Sequence, residues 1–403
     1  MRLSLRVRKL YANVAAFKGK NKAERHKIRR KILGGTRDDD TVVMHHTDVE
    51  IFKLTQDRTF PLELTTAKKI IVMVVPEHNA MSGGIYSFFS IVEQMRRLRR
   101  EHGYHIITVT RPNPIGETYF RNTNFRNSEN VYRFSQIPLC LAAEEIYLQV
   151  PEYAVASFYE DLSEDEKVYL SGRRVKVNIL NQNVQLMPER DQFRSIYSLT
   201  SDVTQSVAHH AYFSQAYANR YQLPTLLLPA YTDLSQYPSC GFGQKDKLII
   251  YSLDEARHKA ACLEQIKVNF PDFELIEIKG IPFDKFMELA TRCTFSITFG
   301  EGFDGYLAQP IIQGGIGFAV YNDDFFPSRH FLDYKSIFSS PDEMVSQICE
   351  VMKELLADPA AYTALNAAFA AEYDRLYSVN DYVARIRKLT LGQFELFPEG
   401  WKS

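Results

Sequence analysis

The residues of this chain whose types and spacing bear most directly on chemistry are Phe299-Gly300-Glu301-Gly302-Phe303-Asp304-Gly305. They follow the apolar run Phe295-Ser296-Ile297-Thr298, which reads as a short buried strand, with the glycines as a tight turn opening a helix. A carboxylate, here Glu301, beside exposed backbone N–H groups at the C-terminal edge of a strand suits a diphosphate or a sugar nucleotide. A glycine-rich connection carrying a solvated glutamate is the plainer alternative.

Other clusters sit where strands are expected to end. Pro76-Glu77-His78-Asn79 follows one apolar run and precedes Ser82-Gly83-Gly84, so His78 or Asn79 opens toward a ligand site. Gln149-Val150-Pro151-Glu152-Tyr153 lies at a second strand end. Asn181-Gln182-Asn183 lies at a third, and its amides offer sugar hydroxyls both donors and acceptors. The histidine pairs His209-His210 and His45-His46 do not suggest a metal site, because adjacent side chains diverge and no carboxylate lies at ligand spacing. No metal is expected.

These residues need a frame. Lys69–Pro76 is a buried strand, a helical pattern runs from Ile85 to Leu98, and His105–Val109 is the next strand, which together make a βαβ unit. Ile146–Val150, Ala154–Phe158, Val175–Leu180 and Thr225–Leu228 read as further strands, with helical stretches at Asp161–Ser171 and Ala208–Tyr221. A fresh series starts at Lys247–Tyr251 and continues with a helix over 256–269, a strand at Phe273–Ile278 and a helix over 283–290. After Phe295–Thr298 come helix 306–313, strand 317–321 and helix 341–355. The prediction is α/β: two open parallel sheets whose C-terminal edges face a central cleft.

Four regions follow. Residues 1–60 are a basic helical extension, 61–235 a first Rossmann-like domain that binds the acceptor, and 236–358 a second that binds the nucleotide. Residues 359–403 hold helices expected to return to the first domain, with Phe394, Phe397 and Trp401 as anchors.

A chain of 403 residues, 45% apolar and 24% charged, fits a globular protein of two domains. Five scattered cysteines fit a reducing compartment and give no disulfide framework. No secretory leader and no run of 18 apolar residues is found, so the expected location is cytoplasmic. Residues 1–31 carry twelve Lys or Arg against the single acid Glu24, interleaved with apolar side chains. Such a segment suits an anionic membrane surface on the inner face of the cell membrane, or it is a solvated basic extension. Nucleic acid is not an expected partner, because the rest of the chain lacks a basic track.

Over roughly residues 68–390 the tandem pattern resembles glycosyltransferases of the two-Rossmann-domain GT-B class. It is most like retaining family 4, including bacterial rhamnosyltransferases of surface-polysaccharide assembly. The resemblance rests on the pair Gly83-Gly84 and on Glu301, with Gln309 at the position where the family carries a second glutamate. It implies that Gly83-Gly84 lets backbone approach the donor diphosphate and that Glu301 receives the donor-sugar hydroxyls. It also implies that N–H groups of Gly302, Phe303 and Gly305 hold phosphate, and that Gln309 faces the ribose. The family's cations follow the first strand of the second domain, where Arg257 and Lys259 are the nearest candidates.

The amide at Gln309 keeps one acceptor and loses the charge, which fits a sugar with one hydroxyl to satisfy. The implied donor is therefore dTDP-L-rhamnose, and the implied acceptor a glycan or lipid-linked glycan, without a metal. His78 and Glu301 are the candidate catalytic residues. Asn79, Gln149, Glu152, Asn181, Gln182 and Asn183 are the candidate acceptor contacts. A non-hydrolysing sugar-nucleotide epimerase shares the architecture, and an inactive membrane-peripheral binding module is a further reading.

Overall fold

Lys69–Val75 (β1) is extended because five of its seven residues are β-branched, and it alternates between two cores. Ile70, Val72 and Val74 face one cluster with Phe134, Phe158 and Phe193. Ile71, Met73 and Val75 face another with Phe88, Met95 and Tyr382. A strand buried on both faces is what a parallel sheet between two helical layers requires. The computed structural model describes residues 60–76, 83–110 and 130–401. The basic segment 1–31, His45-His46, Glu77, His78 and Asn79 lie outside the described residues.

The first sheet continues with His105–Thr110 (β2), Val131–Arg133 (β3), Glu145–Pro151 (β4), Arg174–Asn181 (β5), Val203–Val207 (β6) and Thr225–Leu227 (β7). Its order is β3-β2-β1-β4-β5-β6-β7, and the paired neighbours are parallel. Gly83–Arg97 (α1) covers one face; Glu164–Ser171 (α2) and Gln215–Tyr221 (α3) cover the other.

The second sheet contains Asp246–Ser252 (β8), Glu274–Ile278 (β9), Cys293–Ile297 (β10), Ile316–Val320 (β11) and Ile337–Phe338 (β12), in the order β12-β11-β10-β8-β9. It too is parallel. Lys259–Asn269 (α4) and Pro341–Ala357 (α7) pack on one face through Cys262, Ile266, Met344 and Ile348. Phe283–Arg292 (α5) packs on the other through Phe286, Met287 and Leu289, and Gly305–Ile312 (α6) follows β10. Two Rossmann-like lobes of parallel sheet are thus the architecture, as expected from the sequence.

Pro359–Tyr377 (α8) stays with the second lobe, where the Tyr362 hydroxyl donates to Thr294 O at 2.7 Å. Ser378 then caps Val379–Leu391 (α9), which lies on the first lobe with Tyr382, Ile386 and Leu389 against Ile71 and Met73. An antiparallel bridge between Thr225 and Leu396 fixes the tail beside β7.

The carboxyl edges of the two sheets meet. Tyr212, after β6, donates to Asp324 Oδ1 at 2.9 Å, and the His209 ring stands edge-on to Phe325 at 5.2 Å. Tyr86 of α1 stacks on Phe283 of α5 at 5.4 Å and 22°.

Several segments depart from the sequence reading: α8 packs on the second lobe rather than returning to the first, and Val203–Val207 is a strand where none is expected. Ala154–Phe158 is not a strand: Glu152–Ser157 is a 3₁₀ helix, which begins where Pro151 ends the ladder and the Glu152 carboxylate turns onto the next crossing. The expected helix Ala208–Tyr221 begins only at Gln215, where Ser214 accepts from Tyr217 N.

Candidate active site

In each sheet the order reverses once, between β1 and β4 in the first and between β8 and β10 in the second. Loops leaving the carboxyl ends of such strands diverge and leave room for a ligand. The turn after β10 is built by short hydroxyl bonds. Ser252 Oγ, at the end of β8, accepts from Phe299 N at 2.9 Å. Thr298 Oγ1 accepts from Gly300 N at 3.3 Å and donates to Asp304 Oδ2 at 2.6 Å. Asp304 Oδ1 accepts from Tyr306 N at 2.9 Å and Leu307 N at 3.1 Å, so Asp304 caps α6. Burial pushes the Asp304 carboxyl up to about 6, against the bonds from Thr298 and the helix N–H groups.

This arrangement leaves Glu301 partly buried at the bend between Gly300 and Gly302. Gly302 has φ +90, and a Cβ there would meet Val320 O at 2.6 Å and Phe326 Cε2 at 2.8 Å, so only glycine fits. Phe303 points into the lobe, with ring centroids 5.0 Å from Phe331, 5.2 Å from Phe326 and 5.7 Å from Tyr377. Its side chain anchors the turn. Gly305 opens α6, and Gln309, one turn on, lays its amide over it: a Cβ on Gly305 would be 3.2 Å from Gln309 Nε2. Gln309 Oε1 is buried with no hydrogen-bond partner among the described residues.

The two cation candidates differ. Lys259 Nζ donates to Ser252 O (3.0 Å), Leu253 O (3.3 Å) and Asp254 O (3.2 Å), and pairs with Glu277 at 2.9 Å. An ammonium has three donors, so Lys259 is fully occupied in tying off the end of β8. Arg257 has an 83% exposed side chain and, among the described residues, pairs with Asp342 at 3.5 Å, in a pair that costs little to break. Two neighbours in the same loop carry no local signal in the sequence. Asp254 packs against Gly300. His258 rests on the Phe299 ring at 5.5 Å with its buried Nε2 unpartnered among the described residues, and burial lowers its pKa. Only the strand order shows that the β8 and β10 loops are neighbours.

On the first lobe, Gly83 and Gly84 begin α1, and a Cβ on Gly84 would meet no described atom within 4 Å. Gln149 is fully buried in the sheet, where Asn178 Nδ2 donates to its Oε1 at 3.0 Å. Asn181 likewise donates to Gln205 Oε1 at 3.3 Å, in a ladder that Thr225 continues. One end of each amide works between strands, while Gln149 Nε2 and Asn181 Oδ1 have no partner among the described residues. Glu152 is buried and accepts from Gln182 N at 3.2 Å and Asn183 N at 3.1 Å; Gln182 and Asn183 themselves are partly buried at the carboxyl edge. Burial pushes the Glu152 carboxyl up to about 7. The structure therefore groups Glu301, Gly302, Gly305 and Gln309 at the turn after β10 and the start of α6, and Glu152, Gln182 and Asn183 beyond the ends of β4 and β5.

No protein-family model matches the chain, and no curated protein matches it. Solved structures do. The spinosyn rhamnosyltransferase SpnG complexed with thymidine diphosphate is similar over 79% of this chain and 100% of its own, at 12% identity and TM-score 0.41. S. aureus MnaA with UDP is similar over 83% and 100%, at 10% identity and TM-score 0.48. An α,α-trehalose 6-phosphate synthase from Burkholderia multivorans is similar over 81% and 98%, at 10% identity and TM-score 0.47. Likeness at this level assigns no activity to the chain.

Among the described residues there is no cluster of three or more metal-ligating side chains. Nor, among them, is any helix long and apolar enough to cross a membrane.

Proposed function

We propose that this chain is a glycosyltransferase that moves L-rhamnose from dTDP-L-rhamnose to a hydroxyl of a bacterial surface-polysaccharide acceptor, with retention. The supporting observation is the Gln309 carbonyl. Its Oε1 is buried and unpartnered among the described residues, one helical turn inside the helix that opens beside Glu301. A buried acceptor without a donor is costly unless a ligand supplies one. One neutral acceptor suits the single ring hydroxyl of a deoxyribose.

In this reading the bond from the sugar C1 to the diphosphate oxygen breaks as the bond from C1 to the acceptor oxygen forms on the same face. The acceptor's proton passes to the departing diphosphate oxygen. Glu301 orients the donor sugar by accepting from its hydroxyls. The backbone N–H groups around Gly302 and Gly305 stabilise the growing charge, and Arg257 swings in from solvent to join them. Residues 1–31 hold the enzyme on the inner face of the membrane, where a lipid-linked acceptor would be met. Side-by-side turnover of dTDP-L-rhamnose and UDP-linked sugars tests the donor. Preference for dTDP is expected, and a clear preference for UDP overturns it.

A further inference from the structure

Glu152 stands just beyond the carboxyl end of β4, 5% exposed, with each carboxylate oxygen accepting from one of two successive peptide N–H groups, those of Gln182 and Asn183. Among the described residues no lysine or arginine pairs with it. Burying a carboxylate without a cation is costly, and these two bonds offset part of that cost while tying Glu152 to the chain at Gln182-Asn183. Asn183 Oδ1 in turn accepts from Gln185 N at 3.0 Å and caps the 3₁₀ turn Val184–Leu186.

That turn carries Val184 out of its own lobe. Val184 is 6% exposed and is buried in the second-lobe cluster of Phe303, Phe325, Phe326 and Phe331, with Met187 and Tyr212 beside it. Phe303 and Phe326 are the two rings that define the turn after β10: one is the residue following Gly302, and the other would touch any Cβ on Gly302. A continuous path of bonds and packing therefore runs from Glu152 to Phe303, two residues beyond Glu301.

We propose that Glu152 is a positioning residue for the turn that carries Glu301, acting through Asn183 and Val184 on Phe303 and Phe326 across the lobe boundary. The coupling itself needs no ligand. Its value for orienting a donor sugar rests on the glycosyltransferase reading above.

Hydrogen–deuterium exchange on the full chain without ligand tests it, comparing the wild type with Glu152→Gln, Glu152→Leu and Val184→Ala. The expected result is exchange over residues 299–308 faster by about tenfold in Glu152→Leu and Val184→Ala and by less in Glu152→Gln, with cooperative melting retained. Glu152→Gln keeps one acceptor oxygen and should recover part of the protection. Val184→Ala leaves both carboxylate bonds in place, so it reports on the path even if the Glu152 variants do not fold. Changes confined to residues 180–187, with 299–308 unaltered in every folded variant, overturn the proposal. If 299–308 responds but the wild type binds no nucleotide sugar, the coupling stands and the proposed function fails.

Discussion

The carboxylate of Asp254 lies against the Cα of Gly300, where a Cβ would come within 2.5 Å of Oδ2. The contact joins the loop after β8 to the turn after β10 at the point where the strand order reverses. Gly300→Ala must displace the Asp254 carboxylate from the turn that carries Glu301. Titration calorimetry with dTDP should then show affinity lower by about tenfold while cooperative folding is kept. Unchanged affinity would show that the loop spacing is immaterial to binding.

Gly302→Ala should be far more damaging to the fold. The residue has positive φ, and its Cβ would strike both the Val320 carbonyl and the Phe326 ring. A loss of about 2–3 kcal/mol or more is expected in urea denaturation. A loss below ~1 kcal/mol would mean that the turn relaxes freely.

Phe303→Ala removes the ring shared by Phe326, Phe331 and Tyr377. Burial at this position predicts a loss of about 3–5 kcal/mol, and Phe303→Leu a smaller one. Denaturation midpoints for the pair measure the difference. Equal, small losses would place the ring outside the core.

Glu152 makes stability depend on pH with a definite sign. Its carboxyl is pushed up to about 7 in the fold from an ordinary value of 4.5. Between these values the folded chain keeps a proton that the unfolded chain has released, so stability falls as pH rises through the window. The contribution is at most ~3 kcal/mol. Asp304, pushed up to about 6, adds a slope of the same sign from its ordinary 3.8. Glu101 and Glu372, held low by Arg387 and Arg375, tilt the other way at lower pH. The difference between wild type and Glu152→Gln across pH 4.5–7 isolates the Glu152 part. A difference that does not change with pH contradicts it.

Much of the fold is legible from the chain because apolar runs such as Lys69–Val75 and Glu145–Pro151 have both faces buried, and their continuity survives any detail of packing. Val203–Val207 escapes notice because its middle is Thr204-Gln205-Ser206. Those polar side chains are satisfied by Asn178 and Asn181 on β5 and by Thr225 on β7, partners that no local pattern reveals. The helices at Glu164 and Gln215 read early for a similar reason: Ser163 and Ser214 fix their starts by single hydroxyl bonds.

The site is legible unevenly. The Glu301 turn stands out because it needs glycines at fixed positions, and Gly302 shows the need in its geometry. The role of Lys259 is not visible in sequence, since nothing local says that its ammonium will meet three carbonyls at the end of β8. Gln149 and Asn181 read as open amides because strand ends are where ligands meet; an interstrand partner takes one end of each, and Gln149 Nε2 and Asn181 Oδ1 have none among the described residues.

The most direct test is transfer of labelled rhamnose from dTDP-L-rhamnose by the wild type and by Glu301→Ala, with melting curves recorded on the same samples. The account predicts measurable transfer by the wild type and a fall of about 10²-fold or more in the variant, at an unchanged melting temperature. Near-normal transfer by Glu301→Ala would contradict it.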